Sequence, residues 1–349
     1  MQNLTTKEHH EKKNSQSLFT KIDLSHILKA AADPIRLEIL KVMQRDSFSV
    51  QELANIFTIA QPSMSHHLKI LSRAELIDCR REGNSLFYRR STISSNTANN
   101  TKPYKALIHT LFASIDQIPL DQETASRIEQ AHQARADASR EFFNKNATKF
   151  LERQGQIATY GQYATVVEEL LEKITLPKFN SAMEIGPGEG ELLSHLTSKF
   201  NLIYALDNSN EMLKRAEKSI SKNKEMLKKV KFILGEPHTA YSNNIKVDLL
   251  ILNMVLHHLP IPEEFFTTAH DILNANGKLV LIELCEHNQQ WVKEMCGDLW
   301  LGFKPQDLDH WAQANHFTLE QEIFLGFKNG FQIQMKVYLD NKNKKINQS

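Results

Sequence analysis

Ser181-Ala-Met-Glu-Ile-Gly-Pro-Gly-Glu-Gly-Glu191 decides the reading of the larger part of this chain. A short apolar run enters glycines at alternate positions, and a helical pattern follows from Leu192 to Phe200. Strand, glycine turn and helix in that order make a nucleoside-binding βα unit. Glycine is needed where a ligand packs against backbone that a Cβ would block. The spacing is GxGxG at Gly186, Gly188 and Gly190, whereas a dinucleotide fingerprint puts its last glycine one position later, where Glu191 stands. Glu184 and Glu189 sit beside the loop. Carboxylates there repel a pyrophosphate and suit a ligand bearing an ammonium group and a sulfonium, which is S-adenosylmethionine.

Working outward, Tyr160 to Ile174 is an amphipathic helix before the loop, and the next strand, Asn201 to Leu206, ends at Asp207 and Asn208. An acidic residue at that distance takes ribose hydroxyls in doubly wound folds. Strand Val230 to Gly235 leads to Glu236, and strand Val247 to Leu252 leads to Asn253. Helix Pro262 to Asn274, strand Lys278 to Glu283, and two alternating segments, Leu319 to Leu325 and Phe331 to Leu339, complete the pattern, the last two as a hairpin on the sheet edge. With its Glu-Ile-Gly-Pro-Gly-Glu-Gly loop, Asp207, Val255-Leu-His-His-Leu259 and Leu273-Asn-Ala-Asn-Gly-Lys-Leu279, the region resembles class I S-adenosylmethionine-dependent methyltransferases, an α/β Rossmann-like fold. The resemblance implies that Glu184, Gly186 and Gly188 line the methionine half of S-adenosylmethionine or S-adenosylhomocysteine, Asp207 the ribose, and Glu236 the adenine amine. Glu236-Pro237 departs from the more usual Asp-Ala, which leaves the adenine contact open. The candidate cofactor residues are thus Glu184, Gly186, Gly188, Gly190, Asp207, Asn208, Glu236 and Asn253.

Methyl transfer asks for in-line placement of nucleophile and sulfonium, sometimes with a base. His257 and His258 are the candidates for that base, set against packing of their segment beneath the cofactor. Cys285, His287 and Cys296 match no zinc module, so no metal site is expected, and Trp291, Trp300, Phe303 and Trp311 read as core or pocket wall.

The first part of the chain reads differently. Asp33-Pro34 caps a helix whose buried face is Ile35, Ile39, Val42 and Met43, and Ser49-Val-Gln-Glu52 is a capping box for a short helix through Phe57. After a turn at Thr58 to Ala60, Gln61-Pro62 starts a second helix with Met64, Leu68 and Leu71 inward. Its opposite face carries short hydrogen-bonders at the start and cations later, an order that suits base-edge reading followed by phosphate contact. Strands Leu76 to Arg81 and Leu86 to Arg90 flank Glu82-Gly-Asn-Ser85 as a hairpin, or wing. The candidate DNA contacts are Gln61, Ser63, Ser65, His66, Lys69 and Arg73 on the helix and Arg80 and Arg81 on the wing. This stretch, Ala32-Asp-Pro-Ile-Arg-Leu37 through Gln61 to Leu71 and the wing, resembles the ArsR/SmtB family of dimeric repressors, an α+β winged helix-turn-helix. Metal-sensing relatives carry cysteines in the helix before the recognition helix; Val50-Gln-Glu-Leu-Ala-Asn-Ile-Phe57 has none, so the effector is expected elsewhere.

With 349 residues the chain exceeds one core, and the expected organisation is multidomain: a flexible 1–20, a winged-helix domain 21–92, linker and dimerisation helices 93–154, a methyltransferase-like domain 155–340 and a polar tail 341–349. The connector joins a Ser/Thr/Asn-rich linker to a helix with Leu107, Leu111 and Phe112 and a long charged one from Thr124 to Phe150, a homodimer interface or else an exposed strut. Net charge is only +1, so DNA binding rests on the local cations. Met1 to Ser17 has no apolar core of a signal peptide and no apolar run reaches membrane-spanning length, so a cytoplasmic location and no membrane are expected. Taken together the two domains resemble ArsR-type repressors with an appended methyltransferase-like domain, some of which answer to S-adenosylhomocysteine. The expected partners are double-stranded operator DNA, an adenosyl small molecule and a second copy. The alternative is an active small-molecule methyltransferase whose DNA-binding domain regulates its own gene.

Overall fold

The structure, a computed structural model, describes residues 21–91 and 103–342; the readings of 1–20, of the linker 92–102 and of the tail beyond 342 lie outside them. The chain opens with α1 (Lys21–Ala31), α2 (Pro34–Val42), β1 (Phe48–Ser49), α3 (Val50–Ile56), α4 (Gln61–Arg73), β2 (Ile77–Glu82) and β3 (Ser85–Arg90). Asp33 caps α2 through its side chain, and Ser49 and Glu52 close the capping box of α3 in both directions. Each such cap is worth about 0.5–2 kcal/mol. Thr58, at a φ of 53°, makes the tight turn that swings α4 away from α3. Met64, Leu68 and Leu71 are fully buried beneath α4, in one core with Leu40, Phe48 and Leu53. Ile35 was expected in that core but is 36% exposed; Leu40, one turn on, takes the inward position. β2 and β3 pair antiparallel about Gly83 and Asn84, with β1 on the other side of β3.

Two connector helices follow, α5 (Pro103–Asp116) and α6 (Gln122–Gln154). Leu107, Leu111 and Phe112 of α5 pack against the winged-helix core, Leu107 and Leu111 remaining partly exposed. The helix α6 is not an exposed strut: Arg135, Ser139 and Phe143, spaced one turn apart, are buried.

The third part is built on a seven-stranded sheet. Its elements are α7 (Tyr160–Lys173), β4 (Ser181–Ile185), α8 (Leu193–Lys199), β5 (Leu202–Asp207), α9 (Asn210–Ile220), α10 (Lys224–Lys229), β6 (Val230–Leu234), α11 (Pro237–Ser242), β7 (Val247–Asn253), α12 (Pro262–Ile272), β8 (Leu273–Leu284), α13 (Trp291–Cys296), α14 (Pro305–Ala314), β9 (Phe317–Gly326) and β10 (Gln332–Asp340). The strand order is β6-β5-β4-β7-β8-β10-β9, parallel from β6 to β8 and antiparallel for β10 and β9. The hairpin does lie at the edge, with its second strand inserted beside β8 and its first outermost. The chain's path reverses between β4 and β7, and the crevice at their carboxyl ends is where ligands bind in such sheets. One face is covered by α7, α8 and α9, the other by α12 and α14. Phe87 of the wing packs against this second core, so the two folded parts share a hydrophobic boundary.

Candidate functional site

The crevice holds a cavity of about 240 Å³ lined by the glycine loop, Glu184, Asp207, Asn208, Glu236, Asn253 and His258. Gly186, at φ 65°, donates its amide to the Leu206 carbonyl at 2.8 Å, and a Cβ there would lie 2.5 Å from Val255. Gly188, at φ 57°, has nothing within 4 Å of its would-be Cβ, so its backbone faces open cavity. Gly190 is the departure. It does not line the cavity; its Cβ would meet Ser219 Oγ at 2.6 Å and the Ala216 carbonyl at 3.0 Å, so glycine here lets α9 approach the loop.

Charge is arranged around the loop. Glu184 is 1% exposed and its Oε2 has no hydrogen-bond partner. Burial, with Glu191 adding repulsion, holds its carboxyl well above the ordinary carboxylate range. An unpartnered buried carboxylate at the cavity wall is a place for a cationic group to fill. At the far side Asp207 accepts the Ser209 amide at 2.8 Å, and Glu236 accepts the Asn208 side-chain amide at 3.0 Å. Burial, with Glu236 nearby, pushes the Asp207 carboxyl up to about 7. An anionic carboxylate on that strand end has room for hydroxyl donors.

Several wall residues carried no sequence signal. Tyr160 and Tyr163 of α7 line the cavity, and Tyr163 donates its hydroxyl to Asn253 Oδ1 at 3.1 Å. Ser139, Phe143 and Gln154 of α6 line it too. The histidine pair is divided. His258 lines the cavity, its ring meeting Phe143 edge-on at 4.8 Å, and burial with the charge of His257 holds it well below the usual imidazole range. His257 does not line it: its Nδ1 bonds Glu283 Oε1 at 2.5 Å, behind the wall, so it stands out of reach of a bound substrate. Burial opposes its protonation, but Glu283 and Asp298 outweigh that and push its pKa up to about 9.

The second site lies on α4. Gln61, Ser63, Ser65, His66, Lys69 and Arg73 are all exposed there, and His67 is half-buried. Arg81 is exposed on the wing. Arg80 is not available as read: its Nη2 donates to the Leu301 and Gly302 carbonyls at 3.0 and 2.6 Å, and its Nε pairs with Glu82 at 2.7 Å. The alternation of β2 turns Arg80 toward the sheet domain and Arg81 outward. Glu82, 2% exposed, also accepts the Leu301 amide at 2.8 Å. Arg89 likewise pairs with Asp307, and Arg90 makes a two-pronged pair with Asp116.

Between these sites stands Arg135. Its guanidinium pairs with Glu52 at 2.8 and 3.0 Å and with Asp46 at 3.1 Å, and donates to the carbonyls of Ser47 and Pro260 at 2.8 and 3.0 Å. It lies over the rings of Phe48, Phe87 and Trp300. Trp300 in turn donates its indole N–H to the Leu259 carbonyl at 2.8 Å, and its main-chain amide to the His257 carbonyl at 3.1 Å.

Comparison with known proteins fits both halves. Residues 33–78 match the bacterial regulatory protein, arsR family, and residues 183–281 match a methyltransferase domain. The transcriptional repressor SdpR of Bacillus subtilis is 36% identical over 69 residues, 20% of this chain and 77% of that protein. The arsenical resistance operon repressor of Staphylococcus xylosus is 41% identical over 66 residues, 19% of this chain and 64% of its own. An uncharacterized methyltransferase of Bacillus cereus is 26% identical over 132 residues, 37% of this chain and 59% of that protein. The chain therefore spans less than two thirds of the last two. Among solved structures, magnesium protoporphyrin IX methyltransferase of Synechocystis with bound SAH aligns at a TM-score of 0.47 and 17% identity, over 58% of this chain and 97% of that one.

Proposed function

The chain belongs to the arsR family of bacterial regulatory proteins and carries a methyltransferase domain, and we propose that it is a transcriptional repressor whose methyltransferase domain binds S-adenosylmethionine or S-adenosylhomocysteine as effector. One observation carries this reading. On a single face of α6, Ser139 and Phe143 line the cavity while Arg135, one turn earlier, grips Asp46, Ser47 and Glu52 of the winged helix. A ligand touching that face bears directly on the element that sets the pose of the DNA-binding part. A tether between two independent domains needs no such grip.

In this reading the ammonium group sits against Glu184, the Gly186–Gly188 backbone takes the methionine half, and Asp207 takes the ribose hydroxyls. Asn208, Glu236 and Asn253 complete the wall. The α4 face from Gln61 to Arg73 enters the major groove of operator DNA, with Arg81 on the backbone beside it. A homodimer is supported by Leu24 and Leu28, one turn apart and exposed on α1. Ligand and DNA then share a coupling free energy, typically about 1–3 kcal/mol. A second reading, methyl transfer to a small molecule, is favoured by His258, which burial keeps neutral at the cavity wall, in the form a base requires.

The test is an anisotropy titration of a promoter fragment with the protein at fixed salt, with each nucleoside in turn at saturation. DNA affinity shifted by one of them supports the sensor. Unchanged DNA affinity at ligand concentrations that calorimetry proves saturating rejects it, and labelled methyl on an extract component then favours the enzyme.

A further inference from the structure

At the back of the cavity wall a cluster of buried polar groups extends from His258 to residues that neither site uses. His257 bonds Glu283 twice, through Nδ1 to Oε1 at 2.5 Å and through its main-chain amide to Oε2 at 3.1 Å. That fixes the ring and turns its other nitrogen, Nε2, toward Asp298 Oδ1 at 3.8 Å. His258 Nδ1 lies 3.9 Å from the same oxygen and 3.3 Å from the Gly297 carbonyl, a contact that an ion would replace. One ligating atom from each of His257, His258 and Asp298 falls within 4.8 Å of the others. Asp298 is 3% exposed, and neither of its carboxylate oxygens has a hydrogen-bond partner.

A buried carboxylate without hydrogen bonds is costly, and the His257 ring beside it stands at 3.8 Å, beyond hydrogen-bond reach. The ammonium of Lys293 is directed elsewhere, to Glu82 at 3.6 Å and to the Leu299 carbonyl. We propose that His257, His258 and Asp298 hold a divalent transition-metal cation of the zinc class, with Glu283 as the outer carboxylate that orients His257. Two imidazoles and one carboxylate are the donor set such ions take. A carboxylate on the far nitrogen of a ligating histidine is its usual support. Tetrahedral ligation at about 2.1 Å sets donor atoms about 3.4 Å apart, so the 3.8 and 3.9 Å to Asp298 close by about half an ångström on binding, and the widest pair, within 4.8 Å, by more than an ångström.

The location gives the ion a purpose. Asp298 follows Gly297, which at φ 78° lies so close to Phe142 of α6 that a Cβ would sit 2.4 Å from its ring. The amides of Leu299 and Trp300 both donate to the His257 carbonyl. An ion joining Asp298 to the histidine pair locks the 297–300 segment to the cavity floor, beneath the wing and against α6. Ligands forty residues apart in the chain form no motif, which is why spacing pointed to no metal.

The experiment is a titration of the EDTA-treated full-length protein with Co²⁺, followed by visible absorption, with Zn²⁺ as competitor. One equivalent of Co²⁺ should give a d–d band that Zn²⁺ abolishes. The isosteric Asp298→Asn should weaken binding by more than about tenfold. No saturable band overturns the proposal. So does an unchanged band in Asp298→Asn, which places the ion elsewhere.

Discussion

Replacing Arg135 with methionine removes a guanidinium that joins the winged helix, the connector and the sheet domain while keeping most of its volume. In the folded chain the side chain is 9% exposed, and it satisfies the carboxylates of Asp46 and Glu52 and the carbonyls of Ser47 and Pro260. Asp46, itself 8% exposed, is left with His132 at 2.9 Å and the Ser47 amide at 2.6 Å, and with no guanidinium. Truncating one partner of a buried pair costs about 3–5 kcal/mol because the other charge stays buried and unmatched. Loss of the stacking over Phe48, Phe87 and Trp300 adds about 1 kcal/mol. Urea unfolding of parent and variant, read by circular dichroism and by tryptophan fluorescence, measures the sum. Trp300 sits in the joint and reports its opening. Because Arg135 does not line the cavity, nucleoside affinity by calorimetry should stay within about threefold of the parent, while the ligand's effect on DNA affinity falls from its expected 5–150-fold toward none. Arg135→Lys should recover little, since an ammonium cannot make the two-pronged pair with Glu52. A loss below about 1 kcal/mol with intact coupling would refute the reasoning: the carboxylates would then be solvated in solution and the joint open.

Nucleoside affinity should rise with pH up to about 7 and then level. Hydroxyl donors favour the ionised Asp207, whose carboxyl burial and Glu236 push up to about 7, so binding below that pH must expel a proton, and Asp207→Asn should both weaken binding and flatten the pH profile in calorimetry. Gly190→Ala should lower stability by about 1–3 kcal/mol, its methyl group pressed on Ser219 and Ala216 at positive φ; Gly188→Ala, with open space before it, should spare more of the fold yet abolish nucleoside binding, as paired melting and calorimetric titrations will tell. On the DNA side, Ser65→Ala and His66→Ala should weaken operator binding in gel-shift titrations at fixed salt, and Arg81→Ala should reduce the slope of log affinity against log salt by about 1, whereas Arg80→Ala should leave that slope alone because its guanidinium is bound to Leu301 and Gly302.

The parts of the molecule that were legible are those whose chemistry is local. Ser49 and Glu52 cap α3 because the two residues three apart reach each other's amides, and nothing elsewhere in the chain can change that. The glycine loop was readable for the same reason, with one exception: three glycines at equal spacing look alike in sequence, yet two face the cavity and Gly190 faces α9, a distinction made by a helix some twenty-five residues later. Arg80 and Arg81 are likewise indistinguishable as letters. Strand alternation separates them, but which side of a wing meets DNA and which meets protein depends on a sheet domain more than two hundred residues away. His257 and His258 divide similarly, one into the wall and one behind it, on the position of Glu283.

The connector explains why hydrophobic periodicity failed where it mattered most for function. The stripe that α6 buries runs through Thr124, Ile128, Ala131, Arg135, Ser139 and Phe143, with helical spacing throughout, but half of it is polar. A pattern search scores Arg135 and Ser139 as surface and sees a thin stripe. Such a helix is what coupling requires. A continuous apolar face would weld the domains in one pose, since packed aliphatic contacts have no specific partner to exchange. A guanidinium with five donors, with carboxylate and carbonyl acceptors on the winged helix and the Pro260 carbonyl on the sheet domain, holds a pose that is strong when all its acceptors are in place and, in the proposed sensor, would weaken if a ligand against Ser139 and Phe143 shifted the helix. The polar composition that hid the interface from the sequence is therefore the property that suits it to be a joint rather than a seam.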